Sequence, residues 1–365
     1  MQLKLEGVSK VVGSQPHLHP IDLTLEPGAV NVLLGATLAG KTSLLRVMAG
    51  LDRPSAGRVL VDGEDVTGVS VRRRDVAMVY QQFINYPSLT VFENIASPLR
   101  IARRPEREIK QRVGKIAEVL HISAFLQRRP AELSGGQQQR TAIARALTKD
   151  AGLLLLDEPL ANLDYKLREE LRLELTSLLS GRTTVVYATT LPQEALLLGG
   201  YTSVMVEGRV RQHGATLEVF ARPSSIEVAR AFSDPPINLL DAAWDGHSGT
   251  ARIGDALALP LPAAARSTLT ACEQTDFSIG LRAHRLRLER TRSDDQALTA
   301  RVDLAEINGS ETFVHVSRGP LSLVLEVPGV VPLELGTECT VYLNPRDLYG
   351  FGRDGRLLFA PAGDA

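Results

Sequence analysis

The stretch from Val30 to Gly50 constrains this chain more than any other. Val30-Asn31-Val32-Leu33-Leu34 is a short, mostly apolar run, Gly35 to Gly40 is a glycine-bounded loop, and Thr42 to Met48 reads as a helix that stops at Gly50. Leu153-Leu154-Leu155-Leu156 and Thr183–Ala188 are two more short apolar or β-branched runs, each followed by polar, helix-capable sequence. This alternation predicts a largely parallel sheet with helices packed on it, an α/β fold.

The loop itself points to an anion. Gly35-Ala36-Thr37-Leu38-Ala39-Gly40-Lys41-Thr42 fits a phosphate-binding pattern, in which backbone N–H groups and a helix N-terminus surround phosphate oxygens. Lys41 then places a point charge on the outer phosphates and the Thr42 hydroxyl binds Mg²⁺. The bland alternative is a strand–helix turn with a chance Gly-Lys-Thr; the strand before and the helix after argue against it. Further along, Leu153–Leu156 runs into Asp157-Glu158-Pro159. A carboxylate at the end of a buried strand, Asp157, can act just behind the metal. Glu158, one residue beyond, can orient and deprotonate an attacking water.

Length and charge set the wider frame. The chain has 365 residues, 44% hydrophobic, enough for two or three domains with real cores. Its formal net charge of -1 gives no global basic field, so nucleic acid is not an expected partner. The two cysteines, Cys272 and Cys339, are too few for a disulfide framework and read as ordinary small buried hydrophobes. Met1 to Glu6 lacks the basic-then-apolar order of a signal peptide, and no run of about 18 apolar residues is present to span a bilayer.

All seven lysines lie before residue 167, and the chain turns acidic after Asp234-Pro235-Pro236. Two prolines favour an extended linker there, which predicts domains 1–235 and 236–365. Within the first, Arg103 to Leu126 carries Ile109, Val113, Ile116, Val119 and Leu120 at helical spacing, an amphipathic helix in an inserted helical subdomain at about 88–150. The second has short strand-like segments at Phe277–Leu281, Thr312–Val316, Leu321–Val327 and Thr340–Leu343. Asp354-Gly355 reads as a primed hairpin turn between Leu348–Phe351 and Leu357–Phe359, and a small all-β barrel holding the lone Trp244 is expected.

Between the two halves of the phosphate site stands Leu133-Ser134-Gly135-Gly136-Gln137, with Ser134 able to cap a helix starting at Gly135. With this third motif the chain resembles the ATP-binding-cassette (ABC) ATPases, whose signature loop is Leu-Ser-Gly-Gly-Gln. The resemblance implies a P-loop NTPase domain of the ABC type. It implies Mg-ATP held between two subunits, with Gly35–Ser43 of one facing Ser134, Gly135, Gly136 and Gln137 of the other. Gln81 looks like the Q-loop glutamine that senses Mg²⁺ and the membrane partner, and Ala161-Asn162-Leu163-Asp164 looks like the D-loop. Tyr86 to Ile95 is similar to the coupling region of sugar and polyol importer ATPases. The tail, with Ile279-Gly280-Leu281-Arg282 and Asp347–Phe351, resembles the OB-like TOBE accessory domain of the maltose-type group. Gly35–Gly50 and Tyr80–Leu99 look most like the ATPase pair of bacterial glycerol importers.

Three departures from that family carry physical consequences. The aromatic residue that stacks on adenine is replaced by Val12, removing a contact worth on the order of 1–3 kcal/mol. Leu38 replaces a loop glycine, which restricts φ and crowds the approach to phosphate. Thr190 stands where the family has a switch histidine, and a shorter uncharged donor there costs roughly 10²–10⁴-fold in hydrolysis.

The resulting expectation is an ATP-hydrolysing importer subunit on the cytoplasmic face of the bacterial inner membrane. It would pair with a paralogous ATPase, two permeases and, indirectly, a periplasmic solute-binding protein. A regulator that binds ATP with little hydrolysis and a soluble cassette ATPase are the alternatives. His17 and His19 read as a solvated hairpin tip, and Arg72-Arg73-Arg74 and Arg103-Arg104 as solvated faces.

Overall fold

The computed structural model describes residues 1–82, 84–161, 168, 171, 172, 175, 183–255, 257–272 and 275–361. The chain divides into two compact units, Met1–Thr216 and Leu217–Ala365.

In the first unit, β1 (Leu3–Val12) and β2 (Gln15–Thr24) form an antiparallel sheet with β4 (Ala56–Val61) and β5 (Glu64–Asp65). The main sheet is six-stranded: β3 (Val30–Leu34), β6 (Val76–Val79), β7 (Leu153–Asp157), β8 (Thr184–Thr189), β9 (Tyr201–Val206) and β10 (Arg209–Ala215), in the order β10-β9-β3-β8-β7-β6. All neighbours pair in parallel except the edge strand β10. The leucine run shows why. Side chains alternate across a strand, so Leu153 and Leu155 pack with α1 (Lys41–Ala49) and the antiparallel sheet. Leu154 and Leu156 face the opposite core, with α2 (Val91–Ile101), α3 (Glu106–Val119) and α4 (Gly135–Thr148). Val186 and Ala188 against Val185 and Tyr187 repeat the split on β8. Each fully buried leucine contributes about 1.5–3 kcal/mol, and a strand covered on both faces buries all four.

The helices α2 to α4 lie in the sequence between β6 and β7. The single helix expected from Arg103 to Leu126 is α3 followed by a short 3₁₀ turn at Ser123–Phe125; Leu120 ends the α-helix and His121 takes a positive φ of 53°. Arg72 and Arg73 are exposed as expected. Arg74 is not a solvated side chain: it donates to the carbonyls of Met48, Val66 and Val69, tying the end of α1 to the loop before β6.

The second unit holds two antiparallel sheets around one core rather than a single barrel ladder. One sheet has six strands, β11 (Asn238–Asp245), β12 (Thr250–Ile253), β13 (Leu257–Pro260), β14 (Asp276–Leu281), β19 (Tyr349–Phe351) and β20 (Leu357–Phe359). The other has four, β15 (Gln296–Ile307), β16 (Glu311–Arg318), β17 (Leu321–Pro328) and β18 (Glu338–Leu343). Phe277, Ile279 and Leu281 meet Val314, Val316, Leu323 and Leu325 between them, and Trp244 packs at the side of this core. Asn238 joins the sheets, donating to Leu281 O and Val324 O and accepting from Val324 N.

Three sequence expectations change here. The border placed at Asp234-Pro235-Pro236 falls inside the second unit, because Ile226 and Ala229 pack with Ile237, Tyr349 and Phe351. The Asp354-Gly355 turn is not of a primed type, since both primed types need a positive φ at the first central residue and Asp354 has none. Gly355 alone has one (76°), and Gly352 N bonds Arg356 O across a longer loop. Cys272 is exposed and Cys339 half-buried, so neither is a core residue.

Arg282 braces the second unit from within. Its buried guanidinium donates to Phe220 O, Phe232 O, the Ser233 hydroxyl and the Tyr349 hydroxyl, and lies 3.9 Å from the Phe220 ring centroid. Arg282→Met removes these donors and strands buried carbonyls at about 1–3 kcal/mol each. Urea unfolding of this variant should show the second unit destabilised by at least about 2 kcal/mol, with the first unit's unfolding transition unchanged.

Candidate functional site

The C-terminal ends of β3, β7 and β8 converge, and two backbone hydrogen bonds fix them. Gly35 N donates to Thr189 O (3.3 Å), and Glu158 N donates to Ala188 O (3.0 Å). The end of β8 therefore holds both the loop after β3 and the carboxylate after β7. Gly35 cannot take a side chain, since a Cβ there would lie 2.3 Å from Met205 O. Gly40 has φ of 99°, which favours glycine, and begins α1.

Lys41 is 4% exposed and reaches back over the loop. Its Nζ donates to Gly35 O (2.8 Å) and Ala36 O (3.0 Å) and pairs with Glu158 Oε1 at 3.1 Å. Glu158 Oε2 accepts from Gln81 Nε2 at 3.1 Å. Thr42 Oγ1 donates to Asp157 Oδ1 at 3.1 Å. Burial raises the Asp157 carboxyl above its ordinary value and the neighbouring Glu158 adds to the rise, while the Thr42 hydroxyl and the Lys41 and Arg46 cations oppose it. Lys41, Thr42, Gln81, Asp157 and Glu158, named from three separate stretches of sequence, thus meet at one place.

These residues open into a cavity of about 590 Å³, a size that suits a small ligand. Thr37, Leu38, Gly40, Lys41, Thr42, Ser43, Gln81 and Glu158 line it, while Asp157 lies just behind at 1% exposure. Ala36 and Ala39 complete the loop, Ala39 N donating to Ala36 O. Leu38 adopts φ of 68° and is 96% exposed, so its side chain leaves the loop for solvent instead of filling the cradle. Among the described residues no three His, Cys, Asp or Glu side chains gather as a metal site. The donors present suit Mg²⁺ all the same, because that ion takes one or two protein oxygens and completes its shell with phosphate and water.

Other expected residues stand elsewhere. Val12, 49% exposed, sits opposite Gln15 at the end of β1 and is not part of the cavity wall. Ser134 caps α4, its hydroxyl accepting from Gln137 N while Gln137 Oε1 accepts from Ser134 N. Neither they nor Gly135 and Gly136 line the cavity of their own chain. Thr190 is half-buried just past β8 and is not in the wall. Asp164, with Asn162 and Leu163, lies outside the described residues.

The structure also brings in groups that the motifs did not indicate. His17 and His19 are on β2, not at a hairpin tip, and both line the cavity with Gln15, Glu207 and Gly208. The turn falls at Gly13-Ser14 instead, and the only hint in the sequence was the i, i+2 spacing of the two histidines on a strand. Glu194, 4% exposed, accepts from the Tyr187 hydroxyl (3.2 Å) and the Thr189 hydroxyl, and Leu191 N donates to Thr189 Oγ1 (3.0 Å). Burial raises the Glu194 carboxyl above its ordinary value. This network holds the segment that carries Thr190.

Comparison with known proteins bears on this geometry. Residues 18–161 match the ABC transporter family, and residues 279–351 match the TOBE domain. The sn-glycerol-3-phosphate import ATP-binding protein UgpC of Bordetella avium is 36% identical over 94% of this chain and 91% of its own length. Its counterpart in Yersinia pestis is 34% identical over 98% of this chain and 99% of its own. The chain belongs to the ABC transporter family. Its first unit is accordingly an ATP-binding cassette of the ATP-hydrolysing P-loop class, and it matches a solved one. The dimeric post-hydrolysis structure of the ATP-binding cassette MJ0796, bound to ADP and Pi, superposes with a TM-score of 0.53 and 30% identity, covering 59% of this chain and 98% of that one. No helix among the described residues of this cassette protein is long and apolar enough to cross a membrane.

Lys41 now spends its charge on Glu158, the place where phosphate oxygens would compete. Lys41→Ala should therefore lower Mg-ATP affinity at least about tenfold, whereas Glu158→Gln removes the competing carboxylate charge and should bind Mg-ATP at least as tightly as the wild type. Isothermal titration of the two variants checks both; a Glu158→Gln chain that bound ATP markedly more weakly would contradict this exchange.

Proposed function

We propose that this chain is the ATP-binding subunit of an importer for a sugar or polyol, with glycerol or its 3-phosphate as the solute class. The names of the glycerol-3-phosphate import relatives and the Tyr86–Ile95 coupling string support that choice. The single observation that carries the ATPase reading is the meeting of Lys41, Thr42, Asp157, Glu158 and Gln81 around one cavity. Lys41 and the loop N–H groups of Gly35 to Ser43 hold the phosphates. Thr42 and Gln81 would supply the protein oxygens for Mg²⁺, with Asp157 behind them accepting from the Thr42 hydroxyl, and the ion would neutralise phosphate charge. Once phosphate takes over Lys41, Glu158 is released toward water as its general base, with Gln81 reporting on its position.

The coupling string is built to transmit that change. Asn94 is wholly buried and donates to Tyr86 O, Leu89 O and Thr90 O while accepting from Tyr86 N. Arg145 on α4 lies 4.9 Å from the Tyr86 ring centroid, and Asn85 Nδ2 donates to Gln138 O. The exposed Ile84 and Tyr86 thus ride on the helix that Ser134 begins. In this reading two permeases dock there, at the cytoplasmic face of the inner membrane, and a periplasmic solute-binding protein acts through them.

The partner ATPase is a paralogue. Ser134 to Gln137 complete the partner's phosphate site, and the partner retains the switch histidine and the base-stacking aromatic that this chain lacks at Thr190 and Val12. The isolated chain should therefore hydrolyse ATP slowly and speed up when its paralogue is added. Thr190→His should raise the isolated rate by about tenfold or more, measured as phosphate release at saturating Mg-ATP. Brisk turnover by the wild-type chain alone would reject the asymmetric pair.

A further inference from the structure

The cassette lacks an aromatic at position 12, and its cavity has a second wall at a distance in sequence from the phosphate loop. That wall is β2. Gly208 N donates to Ala39 O (3.0 Å), and His19 N donates to Gly208 O (2.9 Å), so the β9–β10 turn bridges β2 and the loop. The packing is close enough to exclude side chains. A Cβ on Gly208 would lie 2.5 Å from His17 O, and one on Gly40 would lie 3.2 Å from the same oxygen. The backbone of His17 is therefore fixed with respect to Gly40, the residue before Lys41. Leu18 points into the core at 1% exposure, which by strand alternation turns His17 and His19 to the cavity side.

The two imidazoles differ in their freedom. His19 Nδ1 accepts from the Arg209 guanidinium at 2.9 Å. His17 is exposed and has no hydrogen bond or ion pair among the described residues. Its ring has no aromatic or cation partner among the described residues, and it lines the cavity beside Pro16. We infer that His17 is the stacking platform for the purine base of the bound nucleotide, in place of the aromatic absent at Val12. This rests on the nucleotide reading of the phosphate loop. An imidazole face stacks on a base through dispersion and π overlap, as larger aromatic side chains do.

Calorimetric titration of the full chain with Mg-ATP and with inorganic tripolyphosphate tests the assignment. His17→Ala should weaken Mg-ATP about tenfold and leave tripolyphosphate binding unchanged, because tripolyphosphate carries no base to stack. His17→Phe should restore Mg-ATP affinity to the wild-type level or better, an outcome that a purely structural or charged role would not give. Equal Mg-ATP affinity for His17→Ala and the wild type would overturn the inference while the phosphate site stands. Parallel losses of ATP and tripolyphosphate would also overturn it, by placing His17 on phosphate. A folded wild-type chain that binds neither ligand would overturn the nucleotide reading and this inference together.

Discussion

The ion pair between Lys41 and Glu158 organises the first unit. A lysine 4% exposed is costly unless its charge is met, and here a carboxylate and two loop carbonyls meet it. That solution requires β3 and β7 to end at the same level although they are not neighbours in the sheet. The strand between them, β8, makes this possible by accepting from Gly35 N at Thr189 and from Glu158 N at Ala188. Glu158 accepts a φ of 46° to stand there, a conformation unfavourable for a side-chain-bearing residue. The strain and the buried charge lie at one point, and an incoming triphosphate relieves the charge by offering oxygens of its own.

The same economy extends outward from the site. Gln81 reads the position of Glu158 through one hydrogen bond, and the segment after it is tied to α4 by Asn85 and Arg145. Ser134 stands at the start of α4, so a displacement of Gln81 has a short mechanical route to the helix end that would meet a second chain. The Tyr187, Thr189 and Glu194 network stiffens the β8 end without lining the cavity itself. This network holds the backbone on either side of Thr190.

Much of this was legible in the linear chain. The Gly35–Thr42 loop, the Leu153–Pro159 strand and carboxylates, and the Ser134 cap are local features, and local spacing alone fixes their backbone form. The four leucines read as a buried strand because an apolar run that short, bounded by polar sequence, suits a strand covered on both faces. The β-rich tail was visible in alternating segments such as Phe277–Leu281, where every second side chain enters the core. What misled the reading was turn chemistry and proline. Pro16 and Pro20 suggested a loop around His17, but both are exposed on β2 of a strongly bulged pair, where a missing N–H is tolerated. Pro235-Pro236 suggested a domain border, yet apolar contacts of Ile226 and Ala229 carry the preceding helix into the second unit.

Sequence by itself determined which residues could bind phosphate, which strands were buried, and which family the motifs resemble, since each depends on spacing within one element. Only the tertiary structure decided that Lys41 rests on Glu158, that Val12 stands outside the cavity, and that His17 lines it. Those facts depend on backbone approach between segments far apart in the chain, at Gly40 and Gly208 against His17 O. Such contacts are set by how strands register in space, and the linear order of residues carries no term for that distance.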